Sequence, residues 1–146
     1  TEEMKSWPLD PIIVASDRER HDAFSAADCA LAASGTVSLE LAIAGVPHVI
    51  AYQVNAVTGW IAKRLIKIDT VTIVNLVLGK KLIPEFLQDK CKAKKIIPVL
   101  ETLMADSPER AAQIDGFEEA CTLLGFGDRP PSEKAAEQIL KIIAKK

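Results

Sequence analysis

Short apolar runs alternate with amphipathic stretches over the first third of the chain. The apolar runs, typical of strands covered on both faces, are 12–15 (IIVA), 29–34 (CALAAS) and 47–52 (PHVIAY). Between them, segments 17–28 and 36–45 have helical patterns, and the second ends at Gly45. Strands that alternate with helices pair in parallel through right-handed crossovers. The pattern therefore predicts an α/β fold, with part of an open, Rossmann-like parallel sheet.

After residue 53 the pattern predicts mostly helices. Asn55 is a candidate N-cap for a helix to about Ile68, and 70–75 (TVTIVN) suits a fourth strand or an extended loop ending at Asn75. Four further helices are predicted, at about 84–87, 93–106, 108–124 and 132–146. We thus expect a partial sheet followed by C-terminal helices.

The stretch 124–132 (LGFGDRPPS) is typical of a linker. It divides the chain into residues 1–128, which carry the predicted sheet, and residues 129–146, a hinge and a terminal helix. In that helix Ser132 is a plausible N-cap, with acids early and lysines late, as the helix dipole favours. A hinge here would let the last helix pack on a partner or exchange between two copies.

The composition and charge of the chain exclude several classes of function. A chain of 146 residues with 49% hydrophobic and 26% charged residues fits one globular domain. The net charge of −2 and a modest basic region in the middle predict no nucleic-acid partner. Three cysteines far apart predict neither a disulfide framework nor a metal site, and favour a reducing compartment. We expect no metal ion and no cofactor, and the polar stub before the first apolar run is typical of a piece cut from a longer chain.

The tripeptide Ser34-Gly35-Thr36 lies where a predicted strand ends and a helix begins. Free backbone N–H groups at such a junction, with two hydroxyls and a glycine that permits close approach, outline an anion site. Ligands bind at this edge of parallel sheets. The alternative interpretation is that Ser34 or Thr36 is only an N-cap.

Glu40 lies four residues after Thr36, on the same helix face and about 6 Å behind the predicted anion site. Apolar neighbours predict that this helix is largely buried, and a buried carboxylate needs a partner. The two hydroxyls of a sugar diol would supply one, so phosphate and diol together predict a nucleotide. The alternative is an acid favoured by the helix dipole. Pairing of Glu40 with a cation of its own chain, or its exposure to open water, would remove the physical basis of the nucleotide hypothesis.

Two blocks of the sequence, AADCALAASGTVSLELAIAGVPHVIAYQVN and IAKRLIKIDTVTIVNLVLGKKLIPEFLQDKC, resemble the C-terminal domain of the lipid-A-disaccharide synthase family. The resemblance is dense from about Ala26 to Cys91 and implies the C-terminal half of the nucleotide-sugar domain of a GT-B glycosyltransferase of family 19. It implies transfer of 2,3-diacylglucosamine from UDP-diacylglucosamine to a lipid acceptor, 2,3-diacylglucosamine 1-phosphate, in lipid A biosynthesis of Gram-negative bacteria.

The resemblance also implies roles for individual residues. Ser34, Gly35 and Thr36 would hold the diphosphate, and Glu40 would bind the ribose hydroxyls. The remaining UDP-binding residues would be Tyr52, Gln53 and Asn75. The chain has Gln53, Val74 and Lys80 where the family often has Arg, Pro and Arg, so a charged contact to phosphate from position 53 is not expected.

The resemblance covers only the carboxyl-side part of such an enzyme. The acceptor domain with its catalytic base, and the first strands of the donor domain, have no counterpart in these 146 residues. We therefore expect no catalytic residue here and no turnover by this chain alone, since rate depends on a preorganised cleft with both lobes. The acylated substrates imply a cytoplasmic enzyme, peripheral at the inner membrane.

Trp60, Lys63, Arg64 and Lys67 follow helical spacing and form a basic stripe with an aromatic residue at its head. Such a stripe could rest on anionic lipid. An ordinary solvated helix face is the alternative.

Two further hypotheses remain open. Another GT-B enzyme, such as the peptidoglycan N-acetylglucosamine transferase, shares a "SG…E…G.P" pattern, although the block NLVLGKKLIPEFLQ argues against it. The chain could also be chiefly a dimerisation module whose terminal helix is swapped between copies.

Overall fold

The computed structural model describes residues 2–33, 35–53, 70–127 and 131–144. The three strands are β1 (Ala30–Ala32), β2 (His48–Tyr52) and β3 (Glu85–Leu87). The α-helices of these ranges are α1 (Asp17–Ser25), α2 (Gly35–Ile43), α3 (Ile73–Leu78), α4 (Ala93–Met104), α5 (Pro108–Leu124) and α6 (Pro131–Ile143). Short 3-10 helices span Glu2–Ser6 and Gln88–Lys90.

The sheet is parallel throughout, in the order β1-β2-β3. Its register aligns Ala32 of β1 with Ile50 of β2, and Ile50 with Glu85 of β3. Helix α2 connects β1 to β2, as a parallel crossover requires. The predicted α/β class with a partial Rossmann-like sheet is confirmed.

Helices cover both faces of the sheet. On one face Ile50 packs with Leu41 of α2, Val74 of α3 and Phe117 of α5 in the main core cluster. On the other face Val49 packs with Ile96 and Leu103 of α4. Adjacent residues of β2 thus point into different layers, which explains why this strand is a continuous apolar run.

Several helices begin and end at capping residues that are recognisable in the sequence. Ser16 and Glu19 form a capping box at the start of α1. The hydroxyl of Ser107 caps α5, whose first residue is Pro108, and Gly125 ends it with φ of 80°. The predicted helices at 17–28, 36–45, 93–106 and 108–124 are confirmed, with ends shifted by up to three residues.

The strand predicted at 12–15 is wrong. These residues form no ladder, and Ile12 is 93% exposed. A strand requires a hydrogen-bonded neighbour, and the sheet of the described residues contains β1, β2 and β3 without residues 12–15.

The structure also differs from two assignments between residues 70 and 87. Residues 84–87 were predicted to be helical, but 85–87 form β3, because the Ile50 N–H donates to the carbonyl of Pro84 at 2.9 Å and the ladder continues from there. Residues 70–75 were expected to form a fourth strand or an extended loop ending at Asn75; the loop is correct only as far as Thr72, whose hydroxyl caps α3. Short apolar runs do not distinguish the two structures, so tertiary pairing decides.

The predicted terminal helix is confirmed as α6, although it begins at Pro131 rather than after Ser132. Its apolar residues Ile139, Leu140, Ile142 and Ile143 are 58–66% exposed. The division at residues 128 and 129 stays a prediction. The helix predicted after Asn55 lies outside the described residues.

Candidate functional site

The carboxyl ends of the three parallel strands form one edge of the sheet. Gly35 and Thr36 follow β1 at the start of α2, and Tyr52 and Gln53 lie at the end of β2. Thr36, Tyr52 and Gln53 are exposed there. Open α/β sheets bind ligands at this edge. The fold therefore brings together four of the predicted donor-binding residues, while Ser34 lies outside the described residues.

Helix α2 directs its first turn towards this edge. It begins at Gly35 and is nine residues long. The first N–H groups of any α-helix lack intrahelical acceptors and carry the positive end of the helix dipole. The arrangement suits a phosphate or another anion.

The sequence indicates that Gly35 lets an anion approach the backbone closely. In the structure, the group that approaches Gly35 closely is the carbonyl of Val71. A Cβ atom built at Gly35 would lie 2.7 Å from the carbonyl oxygen of Val71. Real Cβ atoms essentially never approach oxygen so closely, so a side chain would force the two backbones apart. The close approach is made by the chain's own backbone at residue 71, which packs against the first residue of α2.

Glu40 is paired with a cation of its own chain. Its Oε2 lies 3.4 Å from a guanidinium nitrogen of Arg20, and its side chain is 28% exposed. The expectation of a largely buried acid without a cation of its own chain is therefore wrong, and the physical argument from burial to a ribose is lost. The pair is loose, since Oε2 of Glu40 and Nε of Arg20 are buried atoms without a hydrogen bond. Arg20 also contacts Asp17 at 3.4 Å.

Asn75 is buried, at 2% exposure, and its amide bonds to the protein itself. Its oxygen accepts from the N–H groups of Leu82 and Ile83, at 2.9 and 2.8 Å. Its nitrogen donates to the carbonyl of Ile83 at 2.9 Å and to Glu85 at 3.2 Å. An asparagine amide has two donors and two acceptor sites, so these bonds use all of them. A direct contact from Asn75 to a donor sugar remains a prediction that this geometry does not support.

Sequence reasoning missed Glu85, the acceptor at the centre of this network. Its carboxylate accepts from the backbone N–H groups of Val71 and Thr72 at 3.0 Å and from the hydroxyl of Thr72 at 3.0 Å. The Thr70 hydroxyl also donates to it. The available signal was an acid inside the apolar run IPEFL, but the helical assignment at 84–87 placed it on no particular face.

A cavity of about 430 Å³ lies along β3 and the turn that follows it. Among its lining residues are Lys81, Glu85, Gln88 and Lys90. Asn75 also lines it, and is the one predicted donor-binding residue of the described ranges that does. The cavity therefore does not coincide with the exposed edge formed by Thr36, Tyr52 and Gln53.

Two observations concern metals and membranes. Within residues 2–33, 35–53, 70–127 and 131–144, no three His, Cys, Asp or Glu side chains form a group that could hold a metal ion. No helix of those same ranges is long and apolar enough to cross a bilayer. The predicted basic stripe of Trp60, Lys63, Arg64 and Lys67 falls in the part that the structure does not describe.

The sequence is similar over nearly its whole length to proteins of one family. The sequence model of the lipid-A-disaccharide synthetase family matches residues 9–143. The lipid-A-disaccharide synthase of Nitrobacter hamburgensis is 45% identical over 136 residues, 93% of this chain and 34% of that protein. That of Rhodospirillum centenum is 43% identical over 145 residues, 99% of this chain and 36% of that protein. That of Bradyrhizobium diazoefficiens is 42% identical over 144 residues, 99% of this chain and 37% of that protein.

The chain spans about a third of the length of these relatives. Nearly all of the chain is matched in each of them, at more than 40% identity. The matched region includes the junction after β1, the end of β2 and the network around Glu85. On this evidence the chain belongs to the lipid-A-disaccharide synthase family.

Proposed function

We propose that this chain is the UDP-binding part of a lipid-A-disaccharide synthase. The complete enzyme would transfer 2,3-diacylglucosamine from UDP-diacylglucosamine to the lipid acceptor 2,3-diacylglucosamine 1-phosphate. The observation that carries the proposal is the edge at which Gly35 and Thr36, at the start of α2, lie with Tyr52 and Gln53, at the end of β2. A helix N-terminus at the carboxyl end of a parallel sheet suits a diphosphate.

In this proposal the diphosphate lies against residues 34–36 and the ribose lies one helical turn further along α2, at Glu40. The ribose contact rests on the family resemblance, because Glu40 is paired with Arg20 of its own chain and its burial no longer argues for a sugar partner. A ribose diol would donate to the carboxylate and displace the Arg20 side chain. Tyr52 and Gln53 would border the same ligand.

We expect the 146 residues to bind UDP without transferring a sugar. Attack by the acceptor hydroxyl on the sugar needs a base and an acceptor cleft, and the resemblance assigns both to the portion of the relatives that this chain does not span. Binding of one substrate on one lobe does not align two reactants. Glycosyl transfer by this chain alone would contradict the assignment.

Isothermal titration calorimetry with UDP tests the proposal. The parent chain should bind UDP weakly, and Glu40→Ala should abolish measurable binding. Glu101→Ala, which removes an exposed carboxylate from α4, is the matched control and should bind like the parent. Arg20→Ala should bind UDP at least as tightly as the parent, because it frees Glu40. Binding by Glu40→Ala as tight as that of the parent would remove Glu40 from the ribose role.

We also propose that the protein acts in the cytoplasm, peripherally at the inner membrane. Acylated substrates support this, together with the basic stripe of Trp60, Lys63, Arg64 and Lys67. In sedimentation with vesicles that contain anionic lipid, the parent chain should pellet with the vesicles, and the triple variant Lys63→Glu, Arg64→Glu, Lys67→Glu should stay in the supernatant. A control with Lys94→Glu and Lys95→Glu on α4 should sediment like the parent. Equal sedimentation of all three proteins would contradict a role for the stripe.

A second candidate function is dimerisation through α6, which we propose as an addition to UDP binding. The exposed apolar residues Ile139, Leu140, Ile142 and Ile143 lie along one stretch of this helix and favour a packing partner. Antiparallel packing of two α6 helices would bring Glu133 of one copy near Lys141 of the other. Light scattering should give a dimer for the chain and a monomer after deletion of residues 130–146. A monomer in both cases would refute dimerisation through α6.

A further inference from the structure

Glu85 lies level with the end of β1, where the proposed anion site begins. The register places Ala32, Ile50 and Glu85 in one row across the three strands. Neighbouring residues of such a row point to the same face of a sheet. Ala32 and Ile50 belong to the core cluster beneath α2, α3 and α5, so the Glu85 side chain is directed to this layer as well.

The Glu85 carboxylate fixes the backbone of residues 70–72. Both of its oxygens accept from the Val71 N–H, at 3.0 and 3.1 Å, and one accepts from the Thr72 N–H at 3.0 Å. The hydroxyls of Thr70 and Thr72 and the amide of Asn75 donate to it too. Hydrogen bonds to a charged acceptor are stronger than neutral ones, so this set holds the loop in one conformation.

The loop held in this way is the one that packs against Gly35. The Val71 carbonyl oxygen occupies the space where a Cβ of Gly35 would lie, 2.7 Å from that position. Gly35 is the first residue of α2, and the first amides of that helix are the proposed anion donors. Glu85, Val71 and Gly35 thus connect the third strand to the loop after the first.

We propose that Glu85 is a positioning residue for the donor site. It holds residues 70–72 against Gly35 and so fixes the direction of the first N–H groups of α2. The proposal rests on the proposed function only in naming UDP as the ligand, since the mechanical link between Glu85 and Gly35 concerns this chain alone. A carboxylate that merely capped α3 would stabilise Thr72 and Asn75 without affecting the loop after β1.

The test measures the loop and the ligand separately. In Glu85→Ala, hydrogen exchange at the Val71 and Thr72 amides should become at least about tenfold faster, because their acceptor is gone. The NMR amide shifts of Gly35 and Thr36 should move, and the Kd for UDP should rise about tenfold. Glu85→Gln retains one acceptor oxygen and should recover part of each effect. Glu101→Ala should leave all three readouts at the parent values.

The outcomes separate this inference from the proposed function. Faster exchange at residues 71 and 72 with unchanged Gly35 shifts would overturn the positioning role, because Glu85 would then serve α3 alone. A parent chain that does not bind UDP would refute the proposed function. The Gly35 amide shift in Glu85→Ala would still show whether Glu85 positions Gly35. If Glu85→Ala does not fold, Thr70→Val removes a single donor from the same carboxylate and should change the same readouts by a smaller amount; unchanged readouts there would count against the inference.

Discussion

The hydroxyl of Ser38 lies 2.7 Å from Nε2 of His48, so a histidine at the start of β2 bonds to α2 inside the core. Its Nδ1 lies 2.8 Å from the Val46 carbonyl, which can only accept. Nδ1 therefore carries the proton and Nε2 accepts from Ser38. The ring is fully buried and stacks on Phe117. Burial lowers the pKa of His48 to about 4, against a smaller opposing effect of the Val46 carbonyl.

This histidine should make the fold sensitive to acid. The unfolded chain binds a proton near pH 6.5, whereas the folded chain resists protonation down to about pH 4. Between these values the unfolded state holds more protons, so stability falls as the pH falls. Once His48 is protonated in both states, the free energy of unfolding should be lower by about 3 kcal/mol, since each unit of the pKa difference corresponds to about 1.4 kcal/mol. Urea unfolding at several pH values between 7 and 4 measures the loss.

Two histidine variants isolate that effect. His48→Gln, compared with its parent, should lose this part of the pH dependence. His21→Gln, which removes the exposed histidine of α1, should retain it. An unchanged pH profile in His48→Gln would mean that other groups cause the acid sensitivity.

Gly35→Ala should destabilise the chain and weaken UDP binding together. The new Cβ would meet the Val71 carbonyl at 2.7 Å, and two backbone segments must separate to admit it. We expect a loss of about 1–3 kcal/mol in the free energy of unfolding. Denaturant unfolding and UDP calorimetry measure the two effects.

Gly45→Ala is the control at the other end of the same helix. A Cβ at Gly45 contacts nothing within 4 Å, but its φ of 70° strains any other residue. This variant should lose about 1 kcal/mol of stability and keep its affinity for UDP. Equal losses of affinity in both variants would point to general destabilisation rather than to the loop.

Asn75→Ala should be among the more damaging single changes in α3. It leaves the N–H groups of Leu82 and Ile83 and the Ile83 carbonyl without their partner in a buried place. We expect a loss of about 2–4 kcal/mol in the free energy of unfolding. Leu76→Ala, at an exposed neighbouring position, should change stability by less than about 0.5 kcal/mol. A similar small change in both variants would show that water replaces the lost bonds.

The ion pair between Lys80 and Glu119 should contribute little. Its atoms lie 2.8 Å apart, but both side chains are about half exposed. A double-mutant cycle with Lys80→Ala and Glu119→Ala should give a coupling of about 0.2–1 kcal/mol, decreasing as salt is added. A coupling that is insensitive to salt would contradict the exposed geometry.

The donor edge of the fold could be predicted in outline from local signals. The apolar run before residue 34, the glycine after it and the next strand at 47–52 predict a strand, a helix and a second parallel strand. The caps at Ser107 and Gly125 set the ends of α5, because they depend on residues adjacent in sequence. These features need no distant partner.

The partners of polar groups could not be predicted in this way. Arg20 of α1 pairs with Glu40 of α2. Gln113 of α5 accepts a hydrogen bond from the His48 N–H at 2.9 Å, although the two residues are 65 positions apart in sequence. Neither contact can be predicted from the spacing of residues along the sequence. The apolar neighbours of Glu40 in sequence do not indicate an arginine on α1, so the pair that weakens the ribose hypothesis is visible only in the structure.

The sequence alone determined the α/β class, the helices with local caps and the position of the glycine-containing junction after β1. Only the tertiary structure decided that 85–87 is a strand, that 12–15 is not, and that Glu85 holds the loop against Gly35. The physical reason is that caps and periodicity depend on neighbours along the chain. A ladder, or a carboxylate with several donors, exists only when segments distant in sequence come together.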